Sequence, residues 1–198
     1  MENIRELQTP RLILRPFEKR DAADAFEYLH EPTVHCFACM RTETMEDAEK
    51  AVLERAKDCE YYFAITLKEN GKVIGEIDAM PETPAPDEKN AVLDTFSPCW
   101  MLNTKYHGQG YAFEAAEAFF NYLFFEKGAR RIYAYTEDYN IASQKLCEKL
   151  GMRREGLFYE FVTFVNDENG DPVYENTYRY AILKREWKTA QSVTCEKK

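Results

Sequence analysis

The sequence predicts a single domain of the α/β or α+β class. Its 198 residues, 45% of them hydrophobic and 14% aromatic, are enough to bury one core and too few for a second full domain. Segments rich in β-branched and aromatic residues alternate with amphipathic helical segments along the whole chain. We therefore expect one domain over residues 1–198, with its core between about residues 9 and 187 and a flexible tail over residues 188–198.

The first third of the chain predicts a strand followed by two helices. The segment RLILRP, Arg11 to Pro16, alternates large apolar and charged residues and ends at a proline, which is typical of a half-buried strand. Asp21 is placed to cap the helix AADAFEYLH, and Thr44 is placed to cap the helix TMEDAEKAVLERAK. The two helices are expected to form one structural unit.

The rest of the chain predicts further strands and two more helices. Two β-rich runs joined by Asn70-Gly71 predict an antiparallel hairpin, and the proline-rich PETPAPDEKN that follows predicts a flap. The strand AVLDTFSPCWMLN contains Pro98, which lacks an amide donor and so requires an edge, a bulge or a break in pairing. The remaining predicted elements are a helix over residues 112–127, a strand ARRIYAYT, a helix NIASQKLCEKLG and a hairpin around NDENGDP.

Charge and composition disfavour several classes of partner. The formal net charge of −9 argues against binding a phosphate backbone, which needs a basic surface. No run of about 18 apolar residues is present, and the first residues are too charged for a signal peptide. We therefore expect a cytoplasmic protein with neither a nucleic acid nor a membrane as its partner.

The cysteines are interpreted as reduced thiols, because the chain has no export signal. They are Cys36, Cys39, Cys59, Cys99, Cys147 and Cys195. Cys36 and Cys39 form one CxxC motif beside His35, but a zinc site needs four ligands and no second pair follows at a usable spacing. We expect small buried cysteines here, and no metal.

Two glycines, Gly108 and Gly110, stand directly before the helix in YHGQGYAFEAAEAFFNYLF. In that helix Glu114, Glu117 and Asn121 form one narrow polar stripe, which predicts a deeply buried helix. Its first turn offers unpaired amides and the positive end of the helix dipole, and the glycines allow a ligand to approach the backbone. The pattern predicts an anion site.

The glycine pattern alone leaves the ligand open. A dinucleotide fingerprint is disfavoured because Phe113 takes the place of its third glycine, and the P-loop pattern GxxxxGK[ST] is absent. A plain turn without a ligand remains an alternative. In the next helix Asn140, Ser143 and Cys147 share one face, although Asn140 is locally explained as an N-cap and the other two as packing residues.

Taken together and in this order, the motifs resemble the GNAT superfamily of acetyl-CoA-dependent N-acetyltransferases. The resemblance is to the branch that includes ribosomal-protein N-terminal acetyltransferases, and it covers nearly the whole chain. It rests on TPRLILRPFEKRDA, KYHGQGYAFEA, NIASQKLCEKLGMRREG and YAILKREW. The family's pyrophosphate motif, Gln/Arg-x-x-Gly-x-Gly/Ala, here begins with Lys105 and ends with Gly110. The resemblance implies a mixed, mostly antiparallel, splayed sheet flanked by helices.

The resemblance also implies where acetyl-CoA binds. The amides from His107 to Ala112 would hold the pyrophosphate, the strand from Trp100 to Asn103 would pair with the pantetheine arm, and residues of the next helix would contact that arm. The implied cofactor-binding residues are Trp100, Met101, Leu102, Asn103, Lys105, His107, Gly108, Gln109, Gly110, Tyr111, Ala112, Asn140 and Ser143. The basic residues Lys145, Lys149, Arg153 and Arg154 either meet the 3′-phosphate or form a solvated surface.

The implied reaction is direct attack of a neutral amine on the thioester, with release of the CoA thiolate and no metal. Many family members have a tyrosine as general acid at the position of Cys147; Ser143 and Tyr139 are other candidates, and release of the thiolate without an acid is also open. A backbone amide near Leu102 is implied as the oxyanion donor. The candidate bases are Asp78, Glu76, Asp94 and Glu160.

The leading hypothesis is therefore an N-acetyltransferase that moves an acetyl group from acetyl-CoA to a primary amine in a ternary complex. The acceptor is either a protein N-terminus or a small amine. A catalytically silent acyl-CoA-binding regulatory module is the alternative, because the usual tyrosine is missing. An exposed strand edge is compatible with a homodimer.

Overall fold

The computed structural model describes residues 6–82 and 92–187. Most of the predicted flap, the predicted tail and Cys195 lie outside these residues. The helices are α1 (Ala22–Leu29), α2 (Met45–Arg55), α3 (Tyr111–Phe125) and α4 (Ile141–Lys149). The strands are β1 (Leu7–Gln8), β2 (Leu12–Arg15), β3 (Tyr62–Leu67), β4 (Val73–Glu82), β5 (Thr95–Leu102), β6 (Arg131–Glu137), β7 (Arg153–Asn166) and β8 (Pro172–Leu183).

Hydrogen-bonded strand neighbours follow the order β1-β2-β3-β4-β5-β6-β8-β7. The pairs β1–β2, β2–β3, β3–β4 and β6–β8 are antiparallel, and β5 pairs with β6 in parallel. The parallel pairing covers Thr95 and Phe96 and ends before Pro98, as expected where a proline removes the amide donor. The predicted fold class, with a mixed, mostly antiparallel sheet and flanking helices, is confirmed.

The chain divides into two compact units, each built from separate segments. The first holds the residues up to Asp78 together with Cys99–Phe119 and Thr163–Val173; the second holds Ala79–Pro98, Phe120–Val162 and the residues from Tyr174 onward. The predicted extent of one domain, residues 1–198, stays a prediction.

The core of the first unit lies where α1 and α2 pack on strand residues. It consists of Phe17, Ala22, Ala25, Tyr28, Leu29, Val52, Ala64, Val73 and Met101. Thr44 caps α2 as predicted, accepting a hydrogen bond from the Asp47 amide. Asp21 occupies the N-cap position of α1 as predicted, but its side chain does not cap the helix, because its carboxylate accepts hydrogen bonds from the Arg15 guanidinium at 2.7 and 2.8 Å and from the Glu18 amide.

The core of the second unit contains an aromatic cluster from the end of α3 and the C-terminal segment. Phe120, Phe124 and Trp187 pack in edge-to-face and tilted arrangements with ring centroids 5.7 to 6.4 Å apart. The Trp187 indole N–H donates to Asn121 Oδ1 at 2.8 Å, which gives that polar residue of α3 a buried partner. The predicted burial of α3 is confirmed, since Ala115, Ala116, Phe119, Phe120, Leu123 and Phe124 have no exposed surface.

Candidate active site

The two glycines form an exposed loop in the first unit. Residues 107–110, which we call the glycine loop, connect β5 and a short 3-10 turn to the start of α3. Gly108 and Gly110 have φ angles of +74° and +83°, a region that other residues adopt only with strain. A Cβ on Gly108 would meet no atom within 4 Å, so the space beside it is open.

The start of α3 has the polarity that an anion requires. Its first turn is marked by the hydrogen bond from the Glu114 amide to the Gly110 carbonyl, at 3.1 Å. The amides of Tyr111 and Ala112 precede that bond, and so have no carbonyl four residues earlier in the helix. Their N–H dipoles and the helix dipole favour a negative group at this end.

The side chains around the loop are engaged in local contacts. His107 Nε2 lies 2.9 Å from the Leu102 carbonyl oxygen. The His107 amide donates to the Thr104 carbonyl, so this amide, unlike those of Tyr111 and Ala112, is already used in a local turn. The Gln109 side chain donates to the Lys105 carbonyl at 3.1 Å. Lys105 is exposed and pairs with Glu27 at 3.1 Å. Hydrogen bonds from Lys72 and Lys105 lower the pKa of Glu27 to about 2.

The end of β5 is held closely against β4. The Asn103 amide donates to the Ile74 carbonyl at 2.8 Å, and Asn103 Nδ2 donates to Glu27 at 3.0 Å. A Cβ on Gly75 would lie 2.3 Å from the Met101 carbonyl oxygen, so only glycine fits there. In the sequence, the only sign of this role is a single glycine inside a strand segment.

Arg11 and Glu114 are neighbours of the glycine loop that the sequence reasoning missed. Arg11 Nε bonds Glu114 Oε2 at 2.7 Å, and Arg11 Nη1 donates to the Gln109 carbonyl at 3.1 Å. The guanidinium carbon lies 4.2 Å from the centroid of the Tyr111 ring. Arg11 and Glu114 lie 103 residues apart in the chain, so no local sequence pattern indicates their contact.

A buried network surrounds Glu76, one of the candidate bases predicted from the sequence. Tyr28 and Tyr62 hydroxyls donate to its carboxylate at 3.0 and 2.7 Å, and the Arg55 guanidinium donates at 3.0 and 3.1 Å. We call these four residues the Glu76 network. Burial raises the pKa of both tyrosines, and the adjacent Glu76 charge raises them further. The carboxylate is saturated with donors, which suits a structural role.

Asp78 lies two residues further along β4 and differs from Glu76. It is half-buried, and no residue within 6–82 or 92–187 donates a hydrogen bond to its carboxylate. Burial raises the pKa of Asp78 to about 7, and the like charge of Glu76 adds to the rise, although Arg55 opposes it. A carboxylate with a pKa near neutrality can take and return a proton at physiological pH.

The second unit holds the other predicted contact residues. Asn140 caps α4 as its local position predicts, since its side chain accepts the Ser143 amide at 3.2 Å. Cys147 on the same helix has no exposed surface, and burial, with the nearby Glu148 charge, raises the pKa of its thiol to about 12. Protonation of a departing thiolate by such a thiol would be uphill by several pKa units, each about 1.4 kcal/mol, which disfavours Cys147 as the acid.

The remaining candidates are exposed or paired. Glu160 is exposed on β7 at a φ of +46°, with its amide bonded to Asn176, and Asp94 pairs with Arg130 at 2.8 Å. The Tyr139 hydroxyl donates to Glu175 at 3.2 Å. Arg153 is engaged by Glu155 and Glu186, which weakens its case as a phosphate ligand.

The cysteines of the described residues differ in exposure. Cys39 and Cys59 are exposed, and Cys36 is half-buried, so the expectation of buried cysteines is wrong at these positions. For Cys36 and Cys39 the reason is that His35–Met40 forms a 3-10 turn with no buried residue. Within residues 6–82 and 92–187, no group of three or more His, Cys, Asp or Glu is arranged to hold a metal ion. None of the described helices is both long and apolar enough to cross a membrane.

Comparison with known proteins identifies the family. A family model described as an acetyltransferase (GNAT) domain matches residues 11–153, which include Arg11, the Glu76 network, the glycine loop and α4. The uncharacterized N-acetyltransferase YnaD of Bacillus subtilis is 32% identical over 181 residues, covering 91% of this chain and 98% of that relative.

Two solved structures show the same fold. An acetyltransferase of the GNAT family from Bacillus anthracis has a TM-score of 0.77 and 29% identity, covering 92% of this chain and 100% of that one. The ribosomal-protein-S5-alanine acetyltransferase of Vibrio fischeri has a TM-score of 0.68 and 20% identity, covering 92% and 98%. Structural relatives thus include a ribosomal-protein acetyltransferase, as the resemblance implied. The chain belongs to the GNAT acetyltransferase family, and the predicted enzyme class, an acyltransferase, is confirmed.

Proposed function

We propose that the protein transfers the acetyl group of acetyl-CoA to a primary amine, either the N-terminus of a peptide or a small amine. The observation that carries the proposal is the exposed glycine loop at the start of α3, inside the segment that matches the family. Acetyl-CoA supplies an activated thioester whose carbonyl carbon the amine attacks. A cytoplasmic location and a homodimer stay predictions.

The glycine loop fits the phosphates of the donor. Residues 107–110 are exposed, and the open space beside Gly108 leaves room for a ligand against the backbone. The amides of Tyr111 and Ala112 would donate to the pyrophosphate, and the helix dipole would favour its charge. The Lys105 ammonium is exposed, so it would be able to leave its ion pair with Glu27 and pair with a phosphate of the donor instead. Trp100 to Asn103 and the α4 residues Asn140 and Ser143 stay predicted contacts of the pantetheine arm.

Asp78 is the candidate base that the local chemistry favours. Its carboxylate has no hydrogen-bond donor among the described residues, whereas Glu76 has four hydrogen bonds and Asp94 has an ion pair. Asp78 would accept the proton that an ammonium acceptor loses, directly or through water. The neutral amine then forms the C–N bond and the C–S bond breaks, so that CoA leaves as a thiolate; the second proton, which the nitrogen loses as it becomes an amide, passes to that thiolate directly or through water.

Titration calorimetry with acetyl-CoA tests the donor site. The wild-type protein should bind acetyl-CoA, and Gly108→Glu should lose that binding, because a carboxylate would repel the pyrophosphate. Gly71→Glu is the matched control: Gly71 has a φ of +76° and equally open space, but lies in the β3–β4 turn. Wild-type protein that does not bind acetyl-CoA, or two variants that bind it equally well, would contradict the proposal.

Release of thiol tests the transfer and the acceptor. Acetyl-CoA is mixed with a panel of small amines and of peptides with different first residues, and liberated CoA is measured with a thiol reagent. Turnover with one class of acceptor is expected. A silent acyl-CoA-binding module is the second candidate, favoured by the buried Cys147 where many family members have a tyrosine. It would bind acetyl-CoA and release no thiol above background with every acceptor.

A further inference from the structure

One carboxylate fastens the first turn of α3 to the turn between β1 and β2. Glu114 Oε1 accepts the Thr9 hydroxyl at 2.6 Å and the Arg11 amide at 2.8 Å, and Glu114 Oε2 accepts Arg11 Nε at 2.7 Å. The β1–β2 turn is itself closed by two hydrogen bonds: the Leu12 amide donates to the Thr9 hydroxyl oxygen at 2.8 Å, and the Thr9 amide donates to the Leu12 carbonyl at 3.0 Å. The start of α3 is therefore tied to a rigid support.

The Arg11 guanidinium then reaches the glycine loop itself. Nη1 donates to the Gln109 carbonyl at 3.1 Å, and Nη2 lies 3.5 Å from the position that a Cβ on Gly110 would occupy. The guanidinium also stacks on the Tyr111 ring. One side chain thus contacts Gln109 and Tyr111 and lies beside Gly110 between them, at the point where the loop becomes helix.

The ion pair also offsets the negative charge of Glu114, which would otherwise repel a phosphate at the start of α3. A carboxylate in the first helical turn is favoured by the dipole, but it would oppose a phosphate that binds at the same end. Burial alone would raise the pKa of Glu114, but the bonds from Thr9 and Arg11 outweigh it and lower that pKa, so Glu114 is ionised. Arg11 cancels this charge, and its side chain is still 45% exposed.

We propose that the ion pair between Arg11 and Glu114 holds the glycine loop in its donor-binding form, with Arg11 as a positioning residue for the pyrophosphate of the donor. The inference rests on the proposed function, and it adds a contact outside the glycine motif. Arg11 contacts the Gln109 carbonyl and the Tyr111 ring and lies beside Gly110. The backbone of these three residues would form part of the pyrophosphate site.

Calorimetric titration of three variants with acetyl-CoA tests this role. Arg11→Met keeps the apolar stem but loses the guanidinium, and should raise the Kd about tenfold or more. Arg11→Lys keeps the charge and loses the fork, so it should restore part of the affinity. Glu114→Gln keeps one oxygen acceptor for Thr9 and the Arg11 amide but loses the ion pair, and should raise the Kd about threefold to tenfold.

Two exposed pairs of the same unit provide matched controls. Arg20→Met removes the partner of Glu18, and Glu46→Gln removes the partner of Lys50. Both should bind acetyl-CoA as tightly as the wild type. If Arg11→Met fails to fold, Arg11→Lys and Glu114→Gln carry the test. Variants that fold and bind within about twofold of the wild type would overturn the inference.

Hydrogen exchange without ligand separates this inference from the proposed function. The amides of residues 108–112 should exchange about tenfold faster in Arg11→Met than in the wild type or Arg20→Met, because the glycine loop loses its contacts with the Arg11 guanidinium and opens more often. If wild-type protein fails to bind acetyl-CoA, the proposed function fails, and exchange still reports on the loop. If the wild type binds but exchange and affinity are unchanged in Arg11→Met, only the positioning role fails.

Discussion

Two arginine–glutamate pairs of the first unit differ in their surroundings. The side chains of Arg55 and Glu76 are 9% and 3% exposed, and two tyrosine hydroxyls complete the hydrogen bonding of the carboxylate. The side chains of Arg11 and Glu114 are 45% and 14% exposed, and their remaining bonds end on a turn and on the glycine loop. The first pair joins helices and strands of the core; the second joins the β1–β2 turn to the first turn of α3 and, through Gln109, to the glycine loop.

This difference separates stability from positioning. Removing one partner of a buried pair leaves an uncompensated charge in a medium of low polarity, which destabilises the whole fold. Removing Glu114 from the second pair leaves the Arg11 charge, which water can reach, so the cost is small and local. The same chemical pair therefore supports the fold in one place and the geometry of a ligand loop in the other.

The largest expected effect is on stability, from Glu76→Ala. The change leaves the Arg55 guanidinium and the Tyr28 hydroxyl buried without their acceptor, and should lower the free energy of unfolding by about 3–5 kcal/mol. Urea unfolding measures the change at unchanged slope. Joint replacement of Arg55 by Met and Glu76 by Leu should recover much of the loss. A loss below about 1 kcal/mol in Glu76→Ala would contradict the contrast.

Asp78→Asn should lower turnover rather than stability. If Asp78 is the base, kcat should fall about 100-fold, equal to about 2.7 kcal/mol of activation free energy, while the Kd for acetyl-CoA stays within about twofold. Activity of the wild type should rise with pH through about 7, the pKa of Asp78, and this limb should vanish in Asp78→Asn. An unchanged pH profile would exclude Asp78 from the proton transfer.

The Asp78 carboxylate should make the stability of the wild type depend on pH in the opposite sense from an ordinary salt-bridged carboxylate, and Asp78→Asn should lack this dependence. The pKa of Asp78 is raised from 3.8 to about 7, so the folded state holds a proton that the unfolded state has lost between these values. Wild-type stability therefore falls as pH rises from about 4 to about 7. At pH 8 Asp78→Asn should be more stable by about 2 kcal/mol, less than the full shift implies because the carboxylate is partly exposed. If the wild type and Asp78→Asn have equal free energies of unfolding at pH 8, burial of the charged Asp78 carboxylate does not destabilise the fold, and the prediction is wrong.

Most of the fold could be predicted because local patterns report it directly. The Asn70-Gly71 hairpin, the Thr44 cap and the break at Pro98 each depend on residues close together in the chain. Asp21 failed as a cap because Arg15, from a preceding strand, takes its carboxylate. A propensity for capping is weaker than a bidentate ion pair, and the pairing partner cannot be read from the local sequence.

The candidate site could be predicted only in part. The glycine loop was visible because positive φ angles select glycine, and Asn140 because its position caps a helix. In the sequence Glu114 is one member of the polar stripe of α3, and its ion pair is not visible because its partner, Arg11, lies 103 residues away. Asp78 and Glu76 looked alike in sequence; only the presence or absence of donors around each carboxylate distinguishes them.

The smallest expected effect returns to the half-exposed pair. Glu114→Ala should lower the free energy of unfolding by at most about 1 kcal/mol, because Arg11 remains hydrated and the turn keeps its bonds between Thr9 and Leu12. Urea unfolding of Glu114→Ala and Glu76→Ala under the same conditions compares the two pairs directly. Raising the salt concentration should reduce the Glu114→Ala effect further, since an exposed pair is screened, and leave the Glu76→Ala effect nearly constant. A loss above about 3 kcal/mol in Glu114→Ala would mean that this pair, too, supports the fold, and that a weaker affinity for the donor in Arg11→Met could follow from general destabilisation. Loss of affinity without loss of stability is therefore the result that assigns Arg11 and Glu114 to the glycine loop.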